Sequence, residues 1–202
     1  MVTGIVVYPF AAVLAVLVAW RAARGGQPAF VVVVRALFVL YLGWVAGATL
    51  FPLPVRAGVA ELEAAGRHVA VGLIPLASIG DVLVNGTPFA RVWILGGNVL
   101  TLAPFGLLLP FAAPRLATWP RMALAALVFP LGIETGQLAV SLALGYSYRA
   151  TEIDDVLLNS AGILLGFAAF VALRGRVSSP PRAPAGGDAR SAPLPSPDRR
   201  SS

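Results

Sequence analysis

The chain has 202 residues, of which 58% are hydrophobic and only 12% charged, with a mean hydropathy of +0.83; a soluble domain carries about twice that share of charge, so the composition excludes a soluble globular protein and indicates an integral membrane one. The net charge of +6 would point to nucleic acid in a soluble chain, but no basic block is interleaved with aromatics, and nucleic acid is excluded as a partner. Cysteine is absent, which removes a disulfide framework, a thiolate metal site and a thiol nucleophile.

The first apolar run, Gly4 to Trp20, is long enough to span a bilayer and lacks a basic leader or an A-x-A cleavage pattern, so it is expected to be a retained helix and not a signal peptide. Arg21 and Arg24 close it, and Gly25, Gly26 and Pro28 supply the turn. The second span is Phe30 to Phe51, with Arg35 near its start, close enough to the interface to snorkel. Residues 52–91 form the longest connection. They include Glu61, Glu63, Arg67 and His68 in a stretch of helical composition, and then the piece L-I-P-L-A-S-I-G-D-V-L-V, too short to span and too apolar for a free loop, which is expected to lie in the interface. His68 has no carboxylate or serine patterned around it and is read as incidental.

The third span is predicted from Val92 to Phe111, with Asn98 and Thr101 on one face and Pro104 in its interior, where the missing N–H bends the helix. The fourth, from about Met122 to Leu144, contains Pro130, Glu134 and Gln137; the fifth runs from about Ile153 to Leu173 and carries Asp154, Asp155 and Asn159 near its start. Residues 174–202 are rich in Pro, Ser, Gly, Ala and Arg, cannot bury a core, and are expected to be a disordered tail. Gly43/Gly47, Gly132/Gly136 and Gly162/Gly166 repeat at the four-residue spacing that lets helices approach closely.

The pattern predicts an all-α fold, a polytopic bundle of about five transmembrane helices, with residues 1–29 as the first helix and its turn. Ten arginines fall in the 21–29 loop, the 112–121 loop and the tail, against four (Arg56, Arg67, Arg91, Arg149) on the other side. By the positive-inside rule the N-terminus is outside and the tail cytoplasmic. In that orientation Asn98, Gln137 and Asn159 each lie roughly 9 Å below the outer ends of their spans, at about 1.5 Å per residue. Glu134 lies slightly deeper, and Arg149, Asp154 and Asp155 just above. Polar groups in hydrocarbon are costly and mark candidate sites.

Each of these has a structural reading as well. Asn98, Gln137 and Asn159 would serve as interhelical hydrogen bonds, Glu134 and Arg149 as an ion pair, and Asp154 and Asp155 as helix-terminal caps. Asp154, Asp155 and Asn159 are hard oxygen ligands, but no full metal-ligand set is visible, and neither metal nor cofactor is expected.

The segments R-A-L-F-V-L-Y with T-L-F-P (35–52), L-I-P (73–75), N-V-L-T-L-A-P-F-G-L-L-L-P (98–110), I-E-T-G-Q (133–137) and R-A-T-E-I-D-D-V-L-L-N-S-A-G-I-L-L-G (149–166) together resemble the VanZ-like family of bacterial membrane proteins, over about residues 30–173. Arg35, Asn98, Pro104, Gly106, Glu134, Gln137, Arg149, Asp154, Asp155, Asn159 and Gly162 fall on that family's characteristic positions, while Leu76 stands where the family usually has an aromatic. The resemblance implies a multi-pass protein of the bacterial cell membrane, working on the cell envelope and linked to tolerance of teicoplanin-type glycopeptides.

Two readings of the site follow. In the first, Asn98, Glu134, Gln137, Arg149, Asp154, Asp155 and Asn159 bind a membrane lipid head group or a lipid-linked wall precursor. In the second, the protein is a membrane enzyme on such a lipid, with Glu134 or Asp155 as acid/base and Arg149 holding a phosphate. A transporter ranks third, since no internal repeat is present.

Overall fold

The computed structural model describes residues 3–51 and 69–178. Five helices are long and apolar enough to cross a membrane. A short 3-10 turn at Gly4–Val6 leads into α1 (Val7–Arg24), and Pro28 breaks the chain before α2 (Ala29–Leu50). After the strand β1 (Val71–Gly72), the helix α3 (Ala77–Asn85) is far too short to span. Around and after it, Leu73, Ile74, Leu83, Val84, Phe89 and Trp93 expose their apolar side chains.

The third span, α4, runs Pro88–Ala112 and so starts earlier than the expected Val92. Thr87 Oγ1 accepts the Ala90 N–H at 3.2 Å, and Pro88 occupies the first turn, where its missing N–H costs nothing. The N-G-T-P piece that reads as a turn is therefore also a helix start. The first turns of α4 are widened to the π type over Arg91–Gly96 before regular α-helix resumes at Gly97. The helix α5 (Trp119–Leu144) ends where Gly145 adopts a left-handed φ of 78°. The strand β2 (Thr151–Glu152) precedes α6 (Ile153–Ser178), which continues past the expected Leu173. Glu61, Glu63, Arg67, His68 and the tail residues 179–202 lie outside the described residues.

The central pair is α4 and α6, with α2 and α5 flanking it and α1 packed on the outside of α2. Two of the three glycine pairs explain these contacts. A methyl on Gly162 would strike the backbone carbonyl of Val99, one on Gly166 that of Ala103, and one on Gly106 that of Ile163, so α4 and α6 touch backbone to backbone. On α2, Gly43 faces Ala11 and Gly47 the Tyr8 ring, which seats α1. Gly132 and Gly136 do not behave this way: nothing lies within 4 Å of a methyl on Gly132, and only Leu50 Cδ2, at 3.7 Å, near one on Gly136. The core closes around Leu102, Met122, Ile163 and Phe167, with Phe105 of α4 stacked 4.3 Å from Phe129 of α5 and tilted against Phe38 of α2 at 5.6 Å.

Candidate functional site

The 69–87 connection and the 145–152 loop meet at one end of the bundle. β1 pairs with β2 in parallel, Val71 opposite Thr151 and Gly72 opposite Glu152. The Thr151 N–H donates to the Ala70 carbonyl at 3.2 Å. Ser147 Oγ accepts the Ala70 N–H and donates to the Arg149 carbonyl, each at 3.0 Å. This small ladder lies above the polar residues of α4, α5 and α6.

Asp154 sits at the start of α6, buried, but its carboxylate is spent on another helix: Oδ1 accepts the Leu76 N–H at 2.6 Å and Oδ2 the Ile79 N–H at 3.0 Å. It therefore caps α3, whose first amides would otherwise be orphaned. Leu76, held by this bond, is the one non-glycine with positive φ (65°) among the described residues. Asp155 takes the Asn98 Nδ2 donor at 2.7 Å, linking α6 to α4. Because α4 begins at Pro88, Asn98 lies further down its helix than the expected boundary places it, yet it meets the first turn of α6, so α4 projects past the start of α6 at this end.

Glu134 of α5 is buried and accepts the Glu152 N–H at 3.1 Å. Asp155, Glu152 and Arg149 all lie within electrostatic reach of it. Gln137, one turn up α5 and buried, donates through Nε2 to the Thr49 carbonyl at 2.8 Å. Asn159 is buried on α6, one turn below Asp155. The expected single layer is thus a set of separate pairings: α5 with α2, α4 with α6, and α5 with the strand.

Arg149 differs most from the structural reading of the sequence. Its Nη2 donates to the carbonyls of Ala48 and Phe51, both at 3.0 Å, and so covers the C-terminal end of α2 instead of pairing with Glu134. Among the described residues its Nε and Nη1 make no hydrogen bond, and the side chain is exposed.

Three hydroxyls of the same loop were not singled out in the sequence. Tyr146 Oη, Tyr148 Oη and Thr151 Oγ1 are buried without a hydrogen-bond partner among the described residues. Burial holds the Tyr148 phenol above the ordinary tyrosine range, with Arg149 pulling it down and Glu134 pushing it up. Buried polar atoms are paired in the great majority of cases, so three without a partner among the described residues within six residues is an unusual concentration. The signal in the sequence is Y-S-Y-R-A-T, a run of hydroxyls around one arginine.

Beside this end, α2 and α5 part to leave a cleft of about 570 Å³ lined by Val45, Ala46, Thr49, Phe129, Gly132 and Gly136. The glycines that do not pack against a helix line its wall. Thr49, whose carbonyl receives Gln137, belongs to the same lining. An apolar cleft thus runs on from the polar cluster. The hard-ligand trio Asp154, Asp155 and Asn159 fares worse, because both oxygens of Asp154 are already taken by α3. No group of three or more His, Cys, Asp and Glu suited to a metal occurs among the described residues.

The model of the VanZ/LLP1 family matches residues 38–174, more than half of the chain, and the chain belongs to that family. No curated protein and no solved structure matches it. With five apolar helices, it is a multi-pass membrane protein.

Proposed function

We propose that this VanZ/LLP1-family member sits in the bacterial cell membrane with residues 69–87 and 145–152 outside. There its polar cluster receives the anionic head of an outer-leaflet lipid or lipid-linked wall precursor, with the chain of that lipid in the cleft between α2 and α5. Holding such a precursor alters glycopeptide access to it and contributes tolerance of the teicoplanin type. The observation that carries the reading is the loop of three buried hydroxyls beside an arginine whose Nε and Nη1 donors, like those hydroxyls, have no hydrogen-bond partner among the described residues. Hydroxyls and the single N–H donors of a cation together suit a phosphate or carboxylate head.

Glu134 and Asp155 support the second reading, an enzyme acting on the same lipid. They are two carboxylates within electrostatic reach of each other, and among the described residues each accepts a single hydrogen bond, which leaves an oxygen for proton transfer.

Lipid mass spectrometry on gently purified protein separates the two. For a binding protein, Tyr148→Phe and Arg149→Ala lose the co-purified lipid, while Glu134→Gln carries a lipid of the same mass as the wild type. For an enzyme, Glu134→Gln accumulates an unmodified lipid of different mass. If the wild type and all three variants carry only bulk phospholipid in equal amounts, both readings are lost.

A further inference from the structure

At the end of the bundle away from this site, a cavity of about 520 Å³ opens between α2, α4 and α6, with Phe30, Phe111, Phe170 and Leu173 as apolar walls and Arg35 and Arg174 as its cations. A smaller cavity of about 290 Å³, lined by Arg21, Gly25 and Gln27 among others, shares Arg35 and Gln27 with it. Among the described residues neither lining contains an Asp or Glu. Arg35 does not simply snorkel: its Nε is buried and has no hydrogen-bond partner among the described residues. A buried guanidinium donor left unpaired is costly, and the guanidinium edge that carries Nε fits two oxygens of a phosphate.

We infer that this double cavity is a second binding site, for the phosphate of an anionic phospholipid, with Arg35 as its central contact, Arg174 and Arg21 on either side, and one acyl chain against Phe30, Phe111 and Phe170. The apolar walls favour a phospholipid over a free phosphate, which would gain nothing from them. The charge decides for an anionic lipid over a zwitterionic one: three cations with no lining carboxylate among the described residues repel the choline ammonium that accompanies a phosphate in phosphatidylcholine. The arginine-rich end is the expected cytoplasmic side, where anionic head groups attract basic residues. The site is independent of the polar cluster and of the function proposed for it.

Native mass spectrometry of the full chain in detergent, titrated with phosphatidylglycerol and with phosphatidylcholine of the same acyl chains, tests it. Phosphatidylglycerol binds tighter, and Arg35→Gln weakens it by about tenfold or more, as expected for a lost charge-assisted hydrogen bond, without changing phosphatidylcholine. Arg24→Gln removes the same charge from the same end, but Arg24 lies over Trp20 and lines neither cavity; it leaves binding unchanged. If Arg35→Gln does not fold, the exposed Arg174→Gln serves in its place, with a smaller loss. Equal binding of the two lipids, an Arg24→Gln loss equal to that of Arg35→Gln, no loss in either cavity variant, or displacement of the lipid by millimolar inorganic phosphate would each overturn the site.

Discussion

Replacing Gly166 by alanine places a methyl against the backbone of α4, on the Ala103 carbonyl group and 3.0 Å from the Leu107 nitrogen. Neither can rotate away, so restoring an ordinary contact of about 3.5 Å means separating α4 from α6. Overpacking of this kind costs about 1–3 kcal/mol, and because the obstruction is backbone the upper half of that range applies. Alanine returns about 1 kcal/mol of helix propensity, leaving a net destabilisation of about 1–2 kcal/mol. At Gly132 nothing lies within 4 Å of the new methyl, so only the propensity gain of up to about 1 kcal/mol remains. The same substitution on two glycines of the same spacing pattern thus has opposite signs. Reversible unfolding in mixed detergent micelles, followed by tryptophan fluorescence, measures both. Gly166→Ala should also disturb the Asn98–Asp155 bond, which spans the same interface. If Gly166→Ala is as stable as Gly132→Ala, the assignment of Gly166 to the tight seam and Gly132 to the open cleft is wrong.

Asp154→Ala removes both acceptors at the start of α3 and should cost about 1–2 kcal/mol; hydrogen exchange should rise over Leu76–Asn85 well before the spans, and uniform exchange across the chain would contradict the cap. Tyr148→Phe deletes a buried hydroxyl that makes no bond among the described residues, so stability should hold or rise while lipid retention falls, and a stability loss above about 1 kcal/mol would show that the hydroxyl is used internally. Since burial raises the Tyr148 pKa, the folded state favours the neutral phenol. Its contribution is complete below the unfolded value of about 10 and is lost as pH rises through the folded one. The part of the alkaline stability loss that Tyr148→Phe removes should therefore lie above that point. Cysteine placed at Asn85 should react with an impermeant thiol reagent on intact cells and cysteine at Thr118 should not, and the reverse pattern would invert the orientation.

The spans were legible because apolar length and helical spacing are local properties. Gly4 to Trp20, Phe30 to Phe51 and Ile153 onward need only their own residues to become membrane helices, and the buried faces of α5 and α6 follow from Glu134 and Gln137, or Asp155 and Asn159, lying a turn apart. Gly162 and Gly166 likewise share the inward stripe of α6. How the helices are turned and slid against one another is not a local property. It is decided where the backbones of α4 and α6 interlock at Gly106, Gly162 and Gly166, and the offset of α4 that brings Asn98 to Asp155 follows from that seam.

Four polar side chains of the cluster then found backbone partners: Gln137 the carbonyl of Thr49, Arg149 those of Ala48 and Phe51, Asp154 the amides of Leu76 and Ile79, and Glu134 that of Glu152. Every residue carries such groups, so no residue type in the sequence marks which will be met. The same holds for Gly132 and Gly136, identical in spacing to the packed pairs, which line the open cleft between α2 and α5. The polar inventory was written in the chain, and its pairing had to wait for the packing of the helices that carry it.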